Sequence, residues 1–204
     1  MNVRIAADAE VLQQNPESVT ATCAGIGDVL RVSGRDYMFD QDFLSQAESL
    51  SFVEQHSSGS TGQVDADQFF MNIRELADAQ EPLFVLLSKD LRAEGTNFIF
   101  GFGIKEAGIC VQSLYRYVRE VRQVELPVIV RHIARHEFGH MLGLDGTSIR
   151  NQDTRGGLYR GHCANDCTMQ QVMTVVEANQ RAQRLQTRPN AGFCSGCVEV
   201  LQSH

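Results

Sequence analysis

Three kinds of segment are missing from this chain of 204 residues, and each absence excludes a class of protein. No stretch approaches the roughly 18 consecutive apolar residues of a transmembrane helix, so we expect no interaction with a membrane. The first ten residues lack the apolar core of a secretory signal peptide, which favours the cytoplasm. There is no long basic run and the formal net charge is −7, which argues against a nucleic acid as partner.

Internal repeats and linkers are also missing. Hydrophobic residues make up 43% of the chain and charged residues 21%, an ordinary globular composition. A chain of this length is most often one domain with a sizeable core. We therefore predict a single domain over residues 1–204, with an N-terminal lobe of sheet and helix (about 1–143) and a C-terminal lobe (144–204).

Hydrophobic periodicity indicates an α+β fold. The first 60 residues are the least informative, whereas from Val64 onward the pattern is clearer. Strands are expected over 37–44, 83–87, 98–104 and 109–117, the last with one solvent-exposed face. Helices are expected over 65–79, 128–142, 170–185 and 194–202. We predict a twisted mixed sheet packed on the 128–142 helix, with a cleft between that layer and an irregular C-terminal third.

The motif His136-Glu137-Phe138-Gly139-His140 ends the apolar stretch that begins at Pro127. On an α-helix, residues four apart are separated by about 40° around the axis and about 6 Å along it, so both imidazoles face one point. This arrangement suits Zn²⁺, with the intervening glutamate near a metal-bound water. Glu137 would act as general base, taking a proton from the attacking water and passing it to the leaving amine. The motif thus predicts hydrolysis of peptide bonds by a zinc enzyme.

A catalytic zinc needs a third protein ligand and one open position. His162 is the best candidate, because a neutral imidazole suits zinc and this histidine directly precedes a cysteine cluster. Asp145 is its main rival, and Asp153 and Asp166 are weaker ones.

Three further residues with suitable side chains are expected not to take part. His132 lies one turn before the motif, about 12 Å from His140 along the helix axis, so we expect it to flank the site without binding the metal. Cys23 and Cys110 stand alone in the sequence. Each is expected to be a small buried residue and not a reactive thiol.

The other four cysteines form two closely spaced pairs. Cys163 and Cys167 enclose three residues, and Cys194 and Cys197 enclose two. Both spacings are typical of structural zinc sites. In a reducing compartment they predict four thiolates around a closed zinc site that stabilises the fold, with two disulfides or unmetallated thiols as the alternatives.

These residues resemble archaemetzincins, a family of zinc-dependent metallopeptidases in the metzincin clan. The family's pattern is HExxHxxGxxHC, four residues, CxM, a spacer and CxxC. Here it is matched by the motif with Gly143, by His162-Cys163, by Cys167-Thr168-Met169 and by Cys194 with Cys197. The resemblance covers roughly residues 82–204, and the first 80 residues carry no motif.

The resemblance implies a metzincin-like fold, two zinc ions per chain, and a peptide or protein substrate. The catalytic zinc would be bound by His136, His140 and His162, with Glu137 as base. The structural zinc would be bound by Cys163, Cys167, Cys194 and Cys197. Met169 would pack beneath the histidines as the Met-turn residue without binding the metal, and Met173 is the weaker candidate for that place.

This chain departs from the family pattern after Gly143. Residues 144–161, here called the insert, number 18 where the pattern has two. The insert is polar and rich in glycine, which predicts a surface loop at the rim of the cleft. Two other functions remain open: a catalytically weak zinc-bound protein that binds peptides, and a zinc-knuckle interaction module with an incidental HExxH motif. The intact Glu137 argues against the first, and the adjacent His162-Cys163 pair argues against the second.

Overall fold

The structure is a computed structural model that describes residues 1–40, 62–77 and 80–203. Within these residues the strands are β1 Asn2–Ala7, β2 Met38–Asp40, β3 Val64–Asp65, β4 Leu83–Leu87, β5 Leu91–Arg92, β6 Gly101–Ile104 and β7 Ile109–Ser113. The helices are α1 Ala9–Gln14, α2 Pro16–Val32, α3 Ala66–Ile73, α4 Tyr115–Glu120, α5 Leu126–Met141, α6 Val175–Leu185 and α7 Ser195–Ser203.

Five strands form one mixed sheet in the order β2-β1-β4-β7-β6, and β3 pairs with β5 separately. All neighbours in the large sheet run parallel except β6, which runs antiparallel to β7 at the edge. The two core clusters show why the central strands are apolar throughout. Along β4, Leu83, Val85 and Leu87 belong to one cluster, and Phe84 and Leu86 belong to the other. Since successive side chains point to opposite faces, both faces of the sheet are covered.

The HExxH motif lies in the last turns of α5, which packs against α2 and against the edge of the sheet at β6 and β7. Pro127 lies in the first turn of α5, where its missing N–H costs no hydrogen bond. Gly25 of α2 lies so close to α5 that a Cβ there would be 2.5 Å from the carbonyl oxygen of Arg131. Glycine in α2 therefore permits a close helix–helix contact.

A buried carboxylate joins α2 to α5. Asp28 accepts hydrogen bonds from Arg131 Nε at 2.8 Å and from Arg135 Nε at 2.7 Å. Burial alone would raise the pKa of Asp28, but the hydrogen bonds and positive charges of Arg131 and Arg135 outweigh burial and lower it. The carboxylate therefore remains charged and holds the back of α5 in place.

The α+β class and the packing of a mixed sheet on the motif helix agree with the sequence-based expectation. The helices at 128–142 and 194–202 are confirmed with small shifts, but the 170–185 helix begins only at Val175. The helix expected over 65–79 ends at Ile73 and continues as a 3₁₀ turn to Leu76, while residues 78 and 79 lie outside the described residues. Of the strand expected over 37–44, Met38–Asp40 is confirmed and 41–44 lie outside them.

The strand expected over 109–117 is wrong in two respects. It ends at Ser113, and Tyr115 begins α4 because the Ser113 hydroxyl accepts the Tyr115 N–H and the chain turns. Its predicted exposed face is also wrong, since β7 lies between β4 and β6 and all five of its residues are buried.

None of the helices in the described part of the chain is long and apolar enough to cross a membrane.

Candidate metal centres and active site

Three histidines lie close together in the cleft beside the edge strand β6. His136 and His140 come from the last turns of α5, and His162 directly follows the insert. The Nε2 atom of His140 lies 3.2 Å from that of His136 and 3.3 Å from that of His162. Ligand nitrogens about 2.0–2.1 Å from a tetrahedral zinc would be about 3.3–3.4 Å apart. The three nitrogens therefore have the spacing of a zinc ligand set.

The other ring nitrogens orient two of these imidazoles. His136 Nδ1 lies 2.8 Å from the carbonyl oxygen of Thr168, and His140 Nδ1 lies 2.7 Å from that of Leu144. A hydrogen on Nδ1 donated to a carbonyl leaves the Nε2 lone pair free for a metal. Gly143 makes the second contact possible: its φ of +93° turns the chain after α5 so that the Leu144 carbonyl faces back toward His140.

Burial keeps the three imidazoles neutral. It lowers the pKa of His136 well below its usual value, that of His140 to about 4, and that of His162. The proximity of the rings adds to the effect for His136 and His140. Neutral imidazole is the form that binds zinc, so the site suits a cation.

Glu137 projects from α5 into the same cleft and is 6% exposed. Burial raises the pKa of Glu137 to about 8. A carboxyl group beside a cluster of neutral metal-ligand nitrogens can accept and release a proton near neutral pH.

Two glycines let β6 approach the motif helix. A Cβ at Gly103 would lie 2.2 Å from the backbone oxygen of Glu137, and one at Gly101 would lie 3.0 Å from the Glu137 Cγ. A glycine inside a strand marks either a bulge or a close approach of another backbone. Here it is a close approach, which positions Glu137 against the edge strand.

Replacing Gly103 by alanine should destabilise the protein by about 1–3 kcal/mol, because the clash is with backbone and cannot be relieved by a side chain. The matched control is Gly196→Ala on α7, where nothing lies within 4 Å of the new Cβ. Urea unfolding of both variants measures the effect. A Gly103→Ala protein as stable as the Gly196→Ala protein would show that the close approach is not required.

The rival third ligands are engaged elsewhere. The Asp145 carboxylate accepts from the backbone N–H of Thr147 at 2.9 Å, and the Asp153 carboxylate pairs with Arg155 at 2.5 Å. The Asp166 carboxylate binds arginines of α6 and of the turn after it. The structure brings only His162 to the two helix histidines, within the described residues.

His132 is buried one turn away, and no metal-ligand group includes it among the described residues. Burial lowers the pKa of His132 to about 3. Of the two lone cysteines, Cys110 is buried as expected, whereas Cys23 is half-buried.

Met169 is fully buried beneath α5. A Cβ on Gly139 would lie 2.6 Å from the Met169 sulfur, so the small residue in the middle of the motif leaves room for this side chain. Met173 instead lines the open cleft.

The four cysteines converge in a second cluster, with all four sulfurs within 4.8 Å of one another. Cys163 and Cys194 sulfurs are 3.8 Å apart, and those of Cys167 and Cys197 are 3.7 Å apart. Sulfurs about 2.3 Å from a tetrahedral zinc would be about 3.8 Å apart, whereas a disulfide bond is about 2.05 Å long. The spacing fits four metal ligands and not two disulfides.

Polar groups support the sulfur cluster. The Cys194 N–H donates to Cys167 Sγ at 3.3 Å, and the Asn165 amide donates to Cys194 Sγ at 3.4 Å. Asp166 lies between the first two cysteines in the sequence. Its carboxylate accepts hydrogen bonds from Arg184 and Arg188, each at 2.7 Å. These contacts fasten the cysteine loop to α6 and the turn after it.

A cleft of about 600 Å³ passes over the three histidines. One wall is β6 with the loop before it, from Gly95 to Gly103, and the floor is α5. The opposite wall combines the ends of the insert with residues 171–173. The predicted position of the cleft, between the sheet and helix layer and the C-terminal third, is therefore confirmed.

Comparison with known proteins gives a consistent result in sequence and fold. No family model matches the chain. A curated archaemetzincin of Methanopyrus kandleri is 28% identical over 142 residues, covering 69% of this chain and 67% of that protein. A second, of Archaeoglobus fulgidus, is 25% identical over 114 residues, and the match spans 56% of each chain.

Solved structures agree. The crystal structure of the M. kandleri archaemetzincin superposes with a TM-score of 0.67 at 22% identity, covering 100% of this chain and 94% of that one. The A. fulgidus archaemetzincin, crystallised with malonate, gives a TM-score of 0.62 at 20% identity, with 98% and 99% covered. This chain is archaemetzincin-like. A zinc-dependent peptidase of Methanocorpusculum labreanum has the same fold, with a TM-score of 0.53 at 16% identity over 98% of this chain and 99% of that one. The expected metzincin-like fold is confirmed by these likenesses.

Sequence reasoning missed several parts of this archaemetzincin-like site. The carbonyls of Thr168 and Leu144 that orient the histidines are backbone groups, which leave no trace in residue type. The buried Asp28 lies in the segment that carried no motif, so nothing marked it as support for the motif helix. Arg160, which lines the cleft, was not singled out within the insert.

Proposed function

We propose that this archaemetzincin-like zinc metallopeptidase hydrolyses peptide bonds with a catalytic zinc at His136, His140 and His162 and with Glu137 as general base. The observation that carries the proposal is the convergence of three neutral imidazole nitrogens at 3.2 and 3.3 Å beside a buried carboxyl group in an open cleft. Zinc itself is supported by the names of the similar proteins and by the two candidate metal-ligand groups.

The donor sets fit this metal. Three imidazoles would leave one tetrahedral position open, as a catalytic zinc requires, and the imidazoles themselves line the cleft. Bound there, zinc would supply Lewis acidity, lowering the pKa of a water and stabilising negative charge on a carbonyl oxygen.

Glu137 would move the proton. Its carboxylate takes a proton from the attacking water and then donates it to the leaving nitrogen. Burial raises the pKa of Glu137, which favours its holding the proton until the second step. The cation at the three imidazoles favours the carboxylate form needed for the first step.

The peptide would lie along the cleft beside β6, with its scissile carbonyl over the imidazoles. The loop before β6 supplies Phe98 and Phe100, whose rings pack edge-to-face with centroids 5.2 Å apart. These rings give that wall of the cleft an apolar lining, as is usual in ligand pockets.

We also propose a second, structural zinc at the four cysteines and a Met-turn role for Met169. Four thiolates close the coordination sphere and leave no position for a substrate. The single domain over 1–204 remains a proposal that the larger core supports, because its buried side chains run from Val3 to Leu201 and so include both lobes.

The activity is tested by incubating the protein with a mixed peptide library, with and without a zinc chelator such as 1,10-phenanthroline. We expect cleavage that stops with the chelator and returns when zinc is added back. Cleavage that continues with the chelator would contradict a metal-dependent mechanism. Retained zinc and peptide binding without any cleavage would favour the alternative, a catalytically weak peptide-binding protein.

A further inference from the structure

The wall of the cleft that the insert forms carries a positive charge, Arg160, that has no acidic partner among the described residues. Besides the imidazoles, its charged lining residues are Glu137, Asp145 and Arg160. Glu137 is buried at the base of the cleft. Asp145 is turned into its own loop, where it accepts hydrogen bonds from Thr147 and Ser148 and lies near Lys105. Arg160 is the one cationic side chain among the described residues that line the cleft.

Arg160 also differs from the other arginines of the insert. Arg150 pairs with Glu199 at 2.7 Å. Arg155 pairs with Asp153 and lies 3.6 Å from the centre of the Tyr159 ring. The exposed Arg160 guanidinium makes no hydrogen bond or ion pair with residues 1–40, 62–77 and 80–203.

The backbone around Arg160 is held in a defined place. The insert returns on itself: the Asp153 N–H donates to the His162 carbonyl at 2.9 Å, and the Ala164 N–H donates to the Asn151 carbonyl at 2.8 Å. The bend at Gly161 has a φ of +89° and packs against Gly146 at the start of the insert. This closure holds the backbone of Arg160, which is two residues before His162 in the sequence, at the wall of the cleft.

We infer that Arg160 recognises a carboxylate of the peptide substrate, so that the insert makes this chain selective for peptides with a negative charge near the cleaved bond. The inference rests on the proposed peptidase function. A guanidinium binds a carboxylate through two parallel N–H···O bonds, and such charged hydrogen bonds are about twice as strong as neutral ones. No ion pair with the described residues has to be broken before Arg160 binds a carboxylate.

The carboxylate has two sources in a peptide, an acidic side chain or the C-terminus. Cleavage rates are therefore compared for peptides with Glu, Gln or Lys at successive positions on each side of the scissile bond. A second set compares a free C-terminal acid with its amide. Each set is measured on the parent protein, Arg160→Gln, Arg160→Glu and the control Arg150→Gln, which removes an exposed arginine of the insert outside the cleft.

We expect the parent to cleave the acidic member of at least one pair about tenfold faster in kcat/KM than its neutral partner. Arg160→Gln should abolish that ratio with its melting temperature unchanged, Arg160→Glu should favour Lys over Glu at the same position, and Arg150→Gln should keep the parent's ratio. The pair that responds identifies the source of the carboxylate. Equal rates within every pair for the parent, or a preference that persists in Arg160→Gln, would overturn the inference.

A binding measurement separates this inference from the proposed activity. Fluorescence anisotropy of labelled acidic and neutral peptides is recorded with zinc-loaded Glu137→Gln and with the Glu137→Gln, Arg160→Gln double variant. Tighter binding of the acidic peptide that is lost in the double variant supports the role of Arg160 even if no peptide is cleaved by the parent. Equal binding of both peptides by Glu137→Gln contradicts it. Absence of cleavage of every peptide by the parent would count against the peptidase proposal alone.

Discussion

Glu137→Gln is expected to lower kcat/KM for peptide cleavage by about 10²–10⁴-fold while zinc remains bound. Glutamine has nearly the same shape as glutamate but cannot accept a proton from water, so the variant tests the proton transfer and not the packing. A change of side-chain shape would be poorly tolerated at this position, because Glu137 is 6% exposed and the edge strand lies close to it at Gly101 and Gly103. Measuring steady-state cleavage and zinc content on the same sample separates loss of chemistry from loss of metal.

The matched control is Glu106→Gln, which changes an exposed glutamate in the short turn between β6 and β7. It should cleave peptides at the parent's rate. Activity of Glu137→Gln within a few-fold of the parent would remove Glu137 from the role of base. If Glu137→Gln loses zinc, its activity is measured again after zinc is restored. Activity that stays low then supports Glu137 as the general base, and activity near the parent's contradicts it.

Cys194→Ser is expected to lower the melting temperature by more than about 5 °C, a change that corresponds to a few kcal/mol in a chain of this size. Serine is a poor zinc ligand, and Cys194 contacts both Cys163 and Cys167. The residues between those two cysteines lead directly from His162 to Thr168, whose carbonyl orients His136. Weaker binding of the structural zinc should therefore loosen the catalytic ligands as well, but stability should fall before activity does.

Cys23→Ser provides the control, because Cys23 lies on α2 outside the metal-ligand group. Thermal unfolding followed by circular dichroism, with zinc content measured beside it, reads out both variants. A Cys194→Ser protein that melts with the parent and keeps its zinc would contradict a structural metal at the cysteines.

The parts of the fold that the sequence predicted well are those with strong local patterns. The motif helix has an apolar face and a proline in its first turn, and β4 is a short continuous apolar run. The boundary at Ser113 was missed because a serine hydroxyl, and not a glycine or proline, starts the turn into α4. The exposed face expected for β7 was wrong because burial depends on which strands flank it, and strand order is not a local property.

Close contacts at glycines were not predictable from the sequence. The helix α2 is 17 residues long and lies within the first 60 residues, where the hydrophobic pattern, interrupted by Gly25, was least informative. The same residue allows the backbone of α2 to reach Arg131 of α5. Gly103 likewise allows β6 to reach the backbone of Glu137. A glycine at a close contact and a glycine at a turn look alike until the partner element is known.

At the candidate site, residue types were predictable and their supports were not. The histidines and cysteines belong to spaced motifs, and the structure brings each predicted group together. His162 follows an insert of 18 residues, so its approach to His136 depends on how that insert closes. The closure uses backbone hydrogen bonds from Asp153 and Ala164. Such bonds do not depend on side-chain identity, so they cannot be predicted from a pattern of residues.

Zinc per chain, measured by metal mass spectrometry on the parent and on His162→Ala, tests the central claim most directly. Protein purified without added metal should carry two zinc ions in the parent and one in the variant, since the cysteine site does not use His162. Retention of two zinc ions by His162→Ala, or one zinc in both proteins, would contradict a catalytic zinc held by His136, His140 and His162.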